Sequence, residues 1–137
     1  MEDEPLWPEA AELIRLNQLI VEGSGEPHTL LHTLLNEGGL ESACARPRNI
    51  WAYEDERKIA YLAACLIASI GQNHPFEQGN KRTALAGALL FIRNNGYFLD
   101  HPDTDDFGPT IEAVIVGELH ESVLAKELDA YLIEELI

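Results

Sequence analysis

An all-α domain is the fold this sequence predicts, and three observations point to it. Apolar residues recur at helical spacing in most of the longer segments. No alternating apolar–polar run is long enough for a major sheet. Glycine, proline and asparagine fall between the periodic segments, where helices have to stop. The length of 137 residues suits one domain, residues 1–137, built round one core.

Taken in order, Pro8 to Val21 reads as a first helix. Leu13, Leu16, Leu19 and Ile20 recur near a helical period, and Pro8 suits a first helical turn. Gly23-Ser24-Gly25-Glu26-Pro27 is a turn. His28 to Asn36 is a helical candidate ending at Gly38-Gly39, and Leu40 to Ala45 a short helix stopped by Pro47. Asn49 to Tyr53 lies between turn signals and reads as a short extended flap or a small β-hairpin. Glu54 to Ile70 is a strong helix, with acidic residues in its first turn and Ile59, Leu62, Leu66 and Ile70 along one side. Gly71 suits its C-terminus. The next helix starts near Gly79 or Asn80 and runs to Asn94. Its middle is apolar all round, which predicts a central buried helix ringed by the others. Leu62, Leu66, Leu89, Leu90 and Ile92 are then core residues. Asn95-Gly96 ends this helix, Asp100 to Asp106 is an acidic loop, and Pro109 to Gly117 and Glu121 to Leu136 are two closing helices.

The bulk numbers exclude several classes. A composition of 46% hydrophobic and 24% charged residues is that of an ordinary soluble globular domain. The longest nearly apolar run, Thr83 to Ile92, is far short of a membrane span, so no membrane partner is expected. The acidic start, Met1-Glu2-Asp3-Glu4, is unlike a secretory signal, which makes the cytoplasm the expected compartment. Cys44 and Cys65 lack metal-ligand spacing and read as reduced thiols. A net charge of -15 argues against direct nucleic-acid binding, which needs a basic face. It leaves small anionic ligands open, because a local pocket can oppose the global charge.

Two weaker patterns carry little. His28 and His32 have the spacing of two metal ligands on a helix, but "HTLLH" lacks the glutamate a zinc hydrolase helix places after its first histidine. Asp103 and Asp105 begin like a calcium loop, yet Phe107 and Val114 fall where oxygen ligands are required.

The chemistry concentrates in "NHPFEQGNKRTALAGALLFIRNNGY", Asn73 to Tyr97. A helix starting near Asn80 leaves backbone N–H groups unpaired at a positive dipole end, and Gly79 lets a ligand approach that backbone closely. This is an anion site, with phosphate the common occupant. Lys81 and Arg82 add positive charge to a positive helix end, at a cost of about 0.3–1 kcal/mol each in isolation. A bound polyphosphate reverses the sign of that effect. His74 precedes the loop, and an imidazole can take a proton from a hydroxyl near neutral pH. A base beside a phosphate cradle suggests phosphoryl or nucleotidyl transfer to a hydroxyl. The plainer alternative is that His74 and Phe76 only pack in a tight turn.

"HPFEQGNKR" resembles the Fic/Doc family motif H-x-F-x-[D/E]-[G/A]-N-[G/K]-R, with one departure, at Gln78. The continuation "NKRTA", with Leu85 where a second arginine would stand, looks like the death-on-curing (Doc) branch. "GGLESACARPRN" and "LLFIRNNGY" agree, so the similarity covers roughly residues 10 to 135. The resemblance implies a compact helical bundle with a short flap beside the active site. It implies transfer of phosphate or AMP from ATP or another nucleotide, with Mg²⁺, to a hydroxyl of a target protein such as a translation elongation factor. It further implies a toxin silenced by a small antitoxin protein. Carried over, His74 matches the general base, Phe76 the buried anchor, Gly79 and Asn80 the phosphate-binding turn, and Lys81 and Arg82 the cations on the nucleotide phosphates. Asn49, Ile50 and Trp51 match the target-positioning flap. Position 78 matches the acidic residue that helps to hold Mg²⁺; here it is Gln78, whose carbonyl offers a dipole without a charge. Glu77 is one residue too early and, in a turn or helix, points about 100° away. Weakened or altered catalysis, a non-catalytic binding relative and a deliberately inactivated sequence all fit this departure.

Overall fold

The structure is a computed structural model that describes residues 3–24 and 34–135. It is all-α in architecture, with six α-helices and one two-stranded sheet among the described residues. The helices are α1 (Ala10–Ser24), α2 (Glu37–Glu54), α3 (Ile59–Asn73), α4 (Asn80–Asn94), α5 (Gly108–Ile115) and α6 (Glu121–Asp129). A 3₁₀ turn, Thr104–Phe107, leads into α5. None of the described helices is long and apolar enough to cross a membrane.

The centre of the bundle is α3 rather than α4. Every residue from Leu62 to Gly71 is buried, with α2, α4, α5 and α6 packed round it. Helix α4 buries one face, Thr83, Ala84, Gly87, Ala88, Phe91 and Ile92, against α3 and α1. Leu89 and Leu90 lie on its flanks and are half-buried, whereas Leu62, Leu66 and Ile92 are in the core as expected. Gly87 is what lets α1 come so close: a Cβ there would lie 2.5 Å from Leu13 Cδ2.

Helix α2 differs most from the expectation of two short segments. Asn36 caps it, its side chain accepting from Gly39 N–H, so Gly38-Gly39 open a helix instead of closing one. The helix then continues through Pro47. Proline removes one backbone bond, but Leu40, Ala43 and Pro47 form a continuous buried stripe against α3, and tertiary burial outweighs the local break. The expected extended flap, Asn49 to Tyr53, is therefore the last part of α2. Of the expected His28 to Asn36 helix, residues 28–33 lie outside the described residues, as do His28 and His32. Leu34 forms an isolated bridge with Phe76.

Asp55, left-handed at φ 58°, ends α2, so the expected helix from Glu54 begins only at Ile59. At its other end α3 runs past Gly71 to Asn73. Gly71 is a packing glycine: a Cβ there would meet Ile115 Cδ1 and Cγ1 of α5 at 2.4 Å. The expected helix to Leu136 stops at Asp129, because the following backbone pairs elsewhere. Leu132–Glu134 (β2) runs antiparallel to Tyr97–Leu99 (β1), in the register Tyr97 with Glu134 and Leu99 with Leu132. The pair ties the end of α4 to the end of α6 and is no hairpin flap. His101 packs beside it on Phe107 and Tyr131.

Candidate functional site

The loop between α3 and α4 is bracketed by two left-handed residues. His74, at φ 46° and ψ 55°, caps α3, and its N–H donates to the Ile70 carbonyl. Gly79, at φ 74°, opens α4 with no capping side chain. Between them Pro75 and Phe76 turn inward, and Phe76 is fully buried, the anchor the motif implied. The stretch after residue 33 runs alongside: the Leu35 and Asn36 amides both donate to the Pro75 carbonyl, at 2.7 and 3.1 Å.

Asn80 holds this loop shut. Its Oδ1 accepts Phe76 N–H at 2.9 Å, and its Nδ2 donates to the Phe76 carbonyl at 2.8 Å. The same Nδ2 lies 3.2 Å from His74 Nδ1. The buried Asn80 side chain is thus occupied with the loop and the imidazole, which is a brace more than a phosphate contact. Asn17 of α1, fully buried, grips the other side. Its Nδ2 donates to the Gln78 carbonyl at 2.8 Å and to Thr83 Oγ1 at 3.1 Å.

A cleft of about 470 Å³ opens over the start of α4. Ile20 and Val21 of α1 form one wall, and Glu112 and Ile115 of α5 another; His74 and Glu77 to Arg82 complete it. His74, Lys81 and Arg82 are all exposed. The amides of Gly79, Asn80, Lys81 and Arg82 donate to no backbone carbonyl among the described residues, which leaves them for a ligand. Lys81 Nζ is 3.2 Å from Glu112 Oε2, an exposed pair of little energetic weight. Arg82 makes no ion pair with the described residues.

The sequence-derived set His74, Gln78, Gly79, Asn80, Lys81 and Arg82 therefore comes together in one cleft. The flap set does not join it. Asn49, Ile50 and Trp51 sit on the last part of α2. Trp51 meets Trp7 edge-on at 6.2 Å and lies under Arg57, while Ile50 lines a separate cleft with Arg46 and Glu121. The chain that does border the loop is Leu34 to Asn36. Glu77, expected to point away from position 78, lines the same cleft. Asn17 and Glu112 were missed, being remote in sequence from the motif. The one available signal for Asn17 was an amide on the apolar stripe of α1, between Leu13 and Val21.

The donor set suits magnesium poorly. Position 78 offers an amide, and the carboxylates that line the cleft, Glu77 and Glu112, are both exposed. Among the described residues no group of three or more His, Cys, Asp or Glu side chains could hold a metal ion. The thiols take no part in the cleft. Burial, aided by Glu12 and Glu41, pushes the Cys44 thiol up to about 11. Burial pushes Cys65 up to about 12, outweighing the nearby Arg46 guanidinium.

Comparison with known proteins gives the family. The Fic/DOC family pattern matches residues 7–92. The chain is 32% identical over 118 residues to "Protein kinase doc" of Escherichia phage P1, covering 85% of this chain and 88% of that protein. It is 38% identical over 60 residues to "Toxin Doc" of Mycolicibacterium smegmatis, covering 43% of this chain and 46% of that protein. The match over residues 7–92 and the likeness to both relatives show that this helical domain belongs to the Fic/DOC family, in its Doc-like branch.

Proposed function

We propose that this chain is a Doc-like toxin that transfers phosphate, or AMP, from ATP or another nucleotide to a hydroxyl of a target protein. One observation carries the reading: an exposed imidazole and a cation-bearing helix N-terminus share one cleft. His74, as the neutral imidazole, takes the proton of the incoming hydroxyl on its unprotonated ring nitrogen. The hydroxyl oxygen bonds to phosphorus, and the bond from phosphorus to the nucleotide's leaving oxygen breaks. The free amides of α4, with Lys81 and Arg82, hold the phosphate oxygens and spread the charge of the transition state. The names of the two relatives, a protein kinase and a toxin, favour phosphate transfer to a protein. A translation elongation factor is the candidate target.

Gln78 supports a second reading, a non-catalytic binding module that keeps the fold and the partner surface. The two readings separate in an assay with ATP labelled at the α or γ phosphate and a cell extract. The enzyme reading expects slow or absent transfer from the chain as it stands, and a gain on Gln78→Glu or Gln78→Asp in the presence of Mg²⁺. Adding His74→Ala should abolish the gain. Silence of the restored-carboxylate variants with both labels leaves the binding module.

The partner that silences the toxin is a small antitoxin, and the site of action the cytoplasm. With a net charge of -15 on this chain, the antitoxin should present basic residues round an apolar helix.

A further inference from the structure

Asn17 occupies a place where packing alone would favour a hydrocarbon. It sits with Leu13 and Val21 on the buried stripe of α1, and it is fully inaccessible. Both its amide hydrogens are used, on the Gln78 carbonyl and Thr83 Oγ1, while Oδ1 has no partner among the described residues. A buried acceptor left without a donor destabilises the fold, so the benefit of Asn17 lies in what it donates to.

We infer that Asn17 is a positioning residue that fixes the peptide between Gln78 and Gly79 so that the Gly79 N–H faces the anion cleft. The inference rests on the nucleotide-binding role proposed above. In a trans peptide the C=O and N–H point in opposite directions. Asn17 draws the Gln78 carbonyl toward α1, which turns the Gly79 N–H away from α1 and toward the cleft that both residues line. This peptide is otherwise easy to flip. It precedes a glycine, and glycine accepts φ of either sign at small cost. A flipped peptide presents a carbonyl oxygen to the phosphate where an N–H belongs. Gly79 also packs closely on the same side: a Cβ there would lie 3.3 Å from Asn17 Nδ2 and 3.4 Å from Val21 Cγ2. Asn17 thus sets the sign of the local electrostatic field at the mouth of the site without touching the ligand.

The test compares Asn17→Leu with Leu13→Ala in the full chain, by calorimetry with ATP and with inorganic triphosphate, alongside thermal melts. Leu13→Ala loosens the same α1–α4 contact and lowers the melting temperature, but it leaves the Asn17 bonds in place. Asn17→Leu should weaken binding of both probes by about tenfold, the loss of one well-placed donor, even where its melting temperature exceeds that of Leu13→Ala. Leu13→Ala should keep its affinities within about twofold of the parent chain. Asn17→Ala, which removes the donors without adding bulk, should follow Asn17→Leu and serves where the leucine variant does not fold. Unchanged binding in both Asn17 variants overturns the assignment, as does an equal loss in Leu13→Ala. A parent chain that binds neither probe overturns the nucleotide site itself, an outcome distinct from the other two.

Discussion

Replacing Asn80 by alanine removes both bonds that tie the loop to the start of α4. Phe76 N–H and the Phe76 carbonyl, at 2.9 and 2.8 Å from the Asn80 side chain, are then left unpaired in buried positions. Each orphaned group costs about 1–3 kcal/mol. The cleft lies next to the loop, so water can reach part of the gap and the lower half of that range applies. Alanine also favours a helix over asparagine by up to about 0.7 kcal/mol, which offsets a little of the loss. The net expectation is about 2–3 kcal/mol, a large share of the roughly 5–15 kcal/mol typical of a whole domain but short of unfolding it. Urea denaturation followed by circular dichroism measures it. Transfer activity should fall further than ATP affinity, because Asn80 Nδ2 also lies 3.2 Å from His74 Nδ1 and loses its hold on the imidazole. A destabilisation under about 1 kcal/mol would refute the reasoning, since Phe76 would then be finding other partners.

Arg82→Ala should weaken ATP binding by about tenfold or more, given the strength of charge-assisted contacts. Lys81→Ala should cost less, because Lys81 is shared with Glu112; an unchanged dissociation constant for Arg82→Ala by calorimetry would count against the site. Gly71→Ala should destabilise the fold although alanine is the better helix former. Overpacking against Ile115, at about 1–3 kcal/mol, outweighs a propensity gain of about 1 kcal/mol, and a raised melting temperature would show that α5 yields freely. The thiols give a pH prediction. In the unfolded chain they ionise near about 8.5, whereas in the fold Cys44 and Cys65 hold their protons to about 11 and about 12. Above about pH 8.5 the folded state therefore binds more protons, and stability that is full below that pH declines as pH rises through 11. The urea midpoint should drop over that window, and by less in a Cys44→Ala, Cys65→Ala double variant.

The parts of the fold legible in the sequence are those set by local chemistry. Leu62 and Leu66 mark α3 by their spacing, and Asn95-Gly96 ends α4 where a turn signal stands. The errors fall where a distant surface decides. Pro47 reads as a stop, yet its ring belongs to the stripe that α2 lays on α3. Gly71 reads as a helix end, yet it is the gap into which Ile115 fits. The residues after Asp129 read as helix until β1 offers its edge. The site divides in the same way. His74 to Arg82 is contiguous, so residue type and order suffice to find it. Asn17 and Glu112 reach the cleft only through the packing of α1 and α5, and no local pattern records that. Asn49 to Trp51 were placed by analogy in position along the chain, and continuation of α2 carried them elsewhere.

His74 is one of two non-glycine residues with positive φ among those described. A left-handed conformation costs an ordinary side chain roughly 1–2 kcal/mol, whereas glycine there gives back only its extra backbone entropy, about 0.5–1 kcal/mol. His74→Gly would therefore leave the fold as stable or slightly more so, while deleting the proposed base. Loss of the proposed chemistry by that route would cost the fold nothing. Gln78, on the same loop, is the one position where the chain departs from the family motif.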